Sequence, residues 1–85
     1  MIWHLEVAKP AQKDLRKLPP KDLDRVKAAL AAMEEDPFGD DIVRLKAQPA
    51  AWRRRAGSYR IFFDVYPGQL MVVVLAIKRR TSTTY

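Results

Sequence analysis

The stretch Ala51 to Arg60, AWRRRAGSYR, constrains the fold most, because two β-type runs meet there at Gly57-Ser58. A Gly-Ser dipeptide between such runs signals a two-residue hairpin, since glycine supplies the positive φ that a primed turn requires. The register then follows by counting. Ala56 is expected opposite Tyr59, Arg55 opposite Arg60 and Arg53 opposite Phe62, and residues opposite each other share a face. Arg53, Arg55 and Arg60 therefore point one way. Like charges directly across a ladder disfavour pairing by roughly 0.2–1 kcal/mol, so their presence together points to an anion that meets all three. Arg54 points the other way, with Trp52 and Ile61, and fits there only at an edge where its guanidinium reaches water.

The flanking segments read as a platform for this hairpin. Met1 to Val7 alternates, with Trp3, Leu5 and Val7 on one side and Ile2, His4 and Glu6 on the other, the pattern of a half-buried strand. Pro10 suits the start of a helix running to about Leu18, with Ala11, Leu15 and Leu18 as its apolar stripe. Pro19-Pro20 stops that helix and opens a second, with Asp22 and Asp24 near the positive end of its dipole. Leu23, Val26, Leu30 and Met33 line one side, and Pro37 ends it. So short a turn predicts an antiparallel helical hairpin. Phe38 to Ala50 reads as a connection with a short extended piece around Ile42 to Leu45.

After the arginine hairpin, Tyr59 to Tyr66 alternates as a strand, Pro67-Gly68 marks a turn, and Leu70 to about Arg79 forms a last strand. That strand is apolar on both sides, as a central strand is. A turn centred on Pro67-Gly68 sets Phe62 opposite Val73 and Arg60 opposite Leu75. Val73, Leu75, Ile77 and Arg79 then share the arginine face. Three apolar residues there mean either that a partner covers the face or that the register is one residue off. The expected fold is α+β: an N-terminal strand, a helical hairpin, then a mainly antiparallel sheet of about four strands, in one domain spanning residues 1–85.

Charge separates the halves of the chain. Residues 1–45 hold 8 Lys/Arg against 9 Asp/Glu, and residues 46–85 hold 8 Lys/Arg against Asp64 alone, so the net +6 belongs to the second half. That asymmetry is the footprint of a nucleic-acid binder, or else of a merely solvated basic face. Cysteine is absent, which excludes disulfides and thiolate metal sites. His4 is the only histidine, so a histidine ligand cluster or a two-histidine acid–base pair is excluded too. The longest apolar run, Leu70 to Ile77, is 8 residues, too short for a membrane span. No signal peptide is evident, and the cytoplasm is the expected location.

The candidate site is thus Arg53, Arg55, Arg60 and Arg79, joined by Lys78, Arg80 and Tyr85, with Lys46 as a further phosphate contact. Arginine suits phosphate because its planar fork makes paired, charge-assisted hydrogen bonds and stays charged. A cluster of such groups suits a phosphodiester whose charge grows in the transition state. Tyr85 has the chemistry to stack on a base or to transfer a proton.

With these residues in view, the chain resembles the RelE-type toxins of the RelE/ParE toxin–antitoxin superfamily. The resemblance rests on the order of elements, on Leu45-Lys46 with Pro49 before the hairpin, on the run WRRRAGSYRIFF and on the closing IKRRTSTTY, and it covers essentially the whole chain. It implies a ribosome-dependent mRNA endoribonuclease, neutralised by a cognate antitoxin, that directs a ribose 2′-OH onto the adjacent phosphate and needs no metal or other cofactor. It also implies roles: Arg53 and Arg55 as the two basic residues of the first hairpin strand, Arg60 on the scissile phosphate, Arg79 on phosphate or leaving-group charge, and Tyr85 as the C-terminal tyrosine. RelE carries lysines at the first two positions, and the arginines here serve phosphate binding rather than proton transfer. The alternative is a non-catalytic ParE-like toxin that inhibits gyrase or binds RNA by occupancy.

Overall fold

The computed structural model describes residues 3–39, 42–46 and 50–79. Along the chain run β1 (His4–Val7), α1 (Lys9–Arg16), α2 (Pro20–Glu35), β2 (Ile42–Arg44), β3 (Trp52–Ala56), β4 (Tyr59–Tyr66) and β5 (Met71–Arg79), with a 3₁₀ turn at Pro67–Gln69 between the last two. The strands form one sheet in the order β1-β5-β4-β3-β2. Only β1 and β5 are parallel. The sheet of four strands expected after the helices is therefore joined by the N-terminal strand as a fifth, beside β5, which is internal as its two-sided apolar pattern requires.

Prolines set the helix boundaries. Pro10 lies in the first turn of α1, and Pro20 opens α2 directly after Pro19 at its N-cap. Their missing N–H groups cost nothing there. Each helix contacts the sheet more than it contacts the other: α1 rests chiefly on β5, and α2 reaches both β1 and β3. Both cover one face only. Ala11, Val26, Leu30 and Met33 from the helices bury against Ala56, Tyr59, Ile61, Phe63, Val72, Val74 and Ile77 from the sheet. The opposite face has no helix over it among the described residues.

The first hairpin has the register that counting gives: Ala56 opposite Tyr59, Arg55 opposite Arg60, Arg53 opposite Phe62. Gly57 has φ +62°, at the first central position of the turn. A Cβ there would run into the Arg25 side chain of α2, which lies over the turn. Arg54 takes the helix face, as its position in the alternation dictates, but lies almost wholly away from water instead of reaching out to it. It is 8% exposed, and its Nη1 donates to the Gly39 carbonyl at 3.1 Å. A buried guanidinium requires such an acceptor, and the connection after α2 supplies it.

The second hairpin departs from the expected register in two steps. Its connection spans residues 67–70, with Leu70 in the left-handed region (φ 50°), so Tyr66 pairs with Met71. A four-residue connection in place of two keeps odd-numbered β5 residues on the arginine face, so Val73 lies there as expected but opposite Asp64 instead of Phe62. A register shift between Phe62 and Phe63 then leaves Leu75 unpaired, since Phe63 pairs with Val74 and Phe62 with Ala76. One extra residue reverses the alternation beyond it. Ile77, expected on the arginine face, is instead buried in the core at 3% exposure, and Arg79 lies opposite Tyr59, whose side chain faces the helices. Ala76 and Lys78 take the arginine face in their place.

Tyr59 fixes the hairpin end of the core. Its side chain is buried, and its hydroxyl donates to Asp22 Oδ2 in the first turn of α2 at 3.1 Å. Burial first, then the Asp22 hydrogen bond and charge, raise the phenol above its ordinary 10.0, against a lowering by the Arg79 charge.

Gly57→Ala is expected to lower unfolding free energy by about 1–2 kcal/mol in urea titrations, because alanine is strained at that φ. Gly68→Ala, whose added Cβ meets nothing within 4 Å, should stay within about 0.5 kcal/mol of the parent. Because the folded state holds the Tyr59 proton at pH values where the unfolded chain loses it, that stabilisation is complete below pH 10.0 and is lost as pH rises through the higher folded value. Thermal melts of the parent and Tyr59→Phe should therefore converge above pH 10, and a gap independent of pH would contradict the assignment.

Candidate nucleic-acid interface

Register alone lays out the uncovered face. Arg55 on β3 is opposite Arg60 on β4, and Arg60 is opposite Lys78 on β5, so three cations form one row across three adjacent strands. The next row is Val43, Arg53, Phe62 and Ala76. Beyond it Asp64, Val73 and Glu6 form a third, and Tyr66, Met71 and His4 a fourth. The face is thus basic toward the Gly57 turn and mildly acidic at the other end. Arg55 and Lys78 are exposed, and Arg53 and Arg60 are half-buried.

Neighbouring groups hold the two ends of this gradient. On β5 the N–H of Ile77 lies beyond the last residue of β1, and Asp14 of α1 accepts it through Oδ2 at 2.9 Å. The other oxygen of Asp14 lies 3.5 Å from Lys78 Nζ, so α1 anchors the strand and one cation of the row together. Asp64 accepts the Ala51 N–H at 2.7 Å, which ties the acid of the face to the start of β3. His4 and Glu6 approach to 3.3 Å on exposed β1. Among the described residues no three His, Cys, Asp or Glu side chains gather to hold a metal ion. None of the described helices is long and apolar enough to cross a membrane.

The candidate residues therefore separate into groups. Arg53, Arg55, Arg60 and Lys78 come together on the open face. Arg79 does not join them through the ladder; it is exposed beside Tyr59 on the helix side. Lys46 follows Leu45, whose N–H bonds the Ala51 carbonyl, at the end of the sheet remote from Gly57. Arg80 and Tyr85 lie outside the described residues. Asp14 carries no local sign in the sequence of its link to Ile77 and Lys78, because that contact joins residues 63 and 64 positions apart. Phe62 shares its face with Arg60 by simple alternation, and its lack of charge leaves nothing in the sequence to mark it as part of a basic site.

The geometry finds its counterpart in known proteins. The family described as "ParE toxin of type II toxin-antitoxin system, parDE" matches residues 5–83. A Methanocaldococcus jannaschii protein named "Putative toxin RelE1" is 30% identical over 83 residues, covering 94% of this chain and 92% of that protein. Among solved structures, the archaeal RelE–RelB complex from Pyrococcus horikoshii matches with a TM-score of 0.84 at 22% identity, over 98% of this chain and 100% of that one. The isolated E. coli RelE toxin matches with a TM-score of 0.79 at 20% identity, over 95% and 87%. The two structural likenesses establish the α+β fold. The family match and the archaeal relative establish descent: the chain belongs to the ParE toxin family, as a type II toxin–antitoxin toxin of the RelE/ParE superfamily.

Proposed function

We propose that this toxin is a ribosome-dependent mRNA endoribonuclease, formed by one RelE-like domain over residues 1–85. The observation that carries the proposal is the row Arg55–Arg60–Lys78 on a sheet face that none of the described helices covers. Such a row offers several fixed positive charges to a phosphodiester, and stabilises it most where its charge increases in the transition state.

In the proposed reaction the 2′-OH attacks the adjacent phosphorus in line, a 2′,3′-cyclic phosphate forms, and the 5′ oxygen leaves with a proton. Arg60, central in the row, holds the non-bridging oxygens, with Arg53 and Arg55 beside it. Lys78 and Arg80 add phosphate contacts, and Lys46 meets RNA farther along. From the C-terminal side Tyr85 stacks on a base or moves a proton, and Arg79, exposed at the end of β5 on the helix side, bears on leaving-group charge by reaching around that end of the sheet. No metal or cofactor takes part in this scheme. The partner that neutralises the toxin is a cognate antitoxin, as RelB accompanies RelE in the P. horikoshii complex.

A second reading, inhibition of gyrase or of RNA function by occupancy, draws on two observations. The matching family is the ParE toxin family, and Asp64, the carboxylate of the open face nearest the cation row, accepts the Ala51 N–H and so serves the fold.

Mapping 5′ ends by primer extension separates the two. With the purified toxin, new ends are expected on mRNA in translating ribosomes and not on the same mRNA alone. Arg60→Ala should reduce cleavage by about 10²-fold or more, and Tyr85→Phe should reduce it as well. No ends in either sample, from protein shown to be folded, would overturn the nuclease reading in favour of occupancy, with a supercoiling assay as its direct measurement.

A further inference from the structure

We propose that Phe62 is a nucleobase-stacking platform, with the RNA backbone crossing the strands along the Arg55–Arg60–Lys78 row. The direction comes from the order of charges. Across the strands, cation follows cation. Along β4, Arg60 is followed on the same face by Phe62 and then by Asp64, so a polyanion laid along that strand would leave its cation and meet a carboxylate. A backbone on the row has its bases projecting either past the turn at Gly57 or toward the second row. Phe62 is the ring of that second row, about 6.6 Å along the strand from Arg60.

Its surroundings suit a flat ligand. Phe62 is half-buried on the uncovered face and makes no ring–ring contact among the described residues. On the β5 side its partner is Ala76, whose small side chain leaves that flank of the ring open, and on the β3 side it is Arg53, whose planar guanidinium stacks readily on a base. The β5 irregularity is what sets Ala76 there, since an unshifted ladder would place the larger Leu75 opposite Phe62. Stacking of a base on a ring flanked by cations is tolerant of sequence, because every base has a π-face. A polypeptide partner would prize the same ring for its apolar area, but the adjoining row of cations favours a polyanion.

The platform rests on the RNA reading above, and the experiment keeps the two apart. Hexaadenylate RNA is titrated into the full chain and into Phe62→Leu, Phe62→Tyr and Arg60→Ala, by fluorescence anisotropy at several salt concentrations and by proton NMR of the base resonances. Phe62→Leu should weaken binding at least about 5-fold and abolish the upfield ring-current shift of a base proton, with the salt dependence unchanged. Phe62→Tyr, which keeps the ring, should bind as the parent does. Arg60→Ala should weaken binding and reduce the salt slope by about 0.7. If Phe62→Leu keeps parental affinity and parental shifts while Arg60→Ala weakens binding, the platform is overturned, RNA binding stands, and Phe62 is left to a polypeptide partner. If Arg60→Ala also binds as the parent does, the RNA reading itself is overturned.

Discussion

One unpaired residue, Leu75, decides which side chains this protein presents. Because strand side chains alternate with a period of two, a single extra residue exchanges the faces of everything beyond it. Below the irregularity, Val72 and Val74 face the helices; above it, Ile77 does, and Lys78 is turned out beside Arg60. With an unbroken ladder Ile77 would be exposed opposite Arg60 and Lys78 would leave the open face for the position opposite Tyr59. The irregularity thus reconciles a continuous apolar core with a continuous row of cations, and both halves of the molecule depend on it.

The helix layer reinforces that arrangement from the other side. α2 starts beside the hairpin turn, where Asp22 takes the Tyr59 hydroxyl and Arg25 lies over Gly57, and ends where the Glu34 carbonyl accepts the N–H of Trp3. At that far end Phe38 packs edge-on against both Trp3 and Trp52, and Arg54 is tied to Gly39. The sheet is therefore held at both ends by polar or aromatic contacts and in the middle by aliphatic packing, which leaves the open face free of any structural duty that helix contacts would impose.

Legibility from sequence tracked how much each segment's pattern says about its faces. The first hairpin was readable because Gly57 fixes a two-residue turn and the arginines and aromatics alternate cleanly on each side of it. The helices were readable from Pro10, Pro20 and Pro37, which act through backbone chemistry that no tertiary contact overrides. β5 was not readable in register, because Val72, Val73, Val74, Leu75, Ala76 and Ile77 carry no alternation to count. The 3₁₀ turn, with its left-handed leucine, was equally silent, since Pro67-Gly68 is compatible with turns of more than one length. It is the shift at Leu75, and not the length of the turn, that carries Arg79 to the helix side. Alternation alone puts Arg54 on the apolar face, and its acceptor leaves no local sign because Gly39 is 15 residues away in the chain.

The carboxylate of Asp14 has a consequence for how the chain behaves among its own copies. A sheet edge with unsatisfied N–H groups is a template on which another strand can add, and a strongly apolar strand such as β5 is the kind that propagates such additions. β1 shields β5 only as far as Val74, with the Ala8 N–H bonding the Val74 carbonyl just past it. At Ile77, where the shield has ended, Asp14 occupies the exposed donor with a charged group borrowed from the neighbouring helix. The end of β5 that β1 leaves uncovered thus has its Ile77 donor occupied by one residue of α1, which makes that stretch a poorer template for a second copy while the basic face stays open.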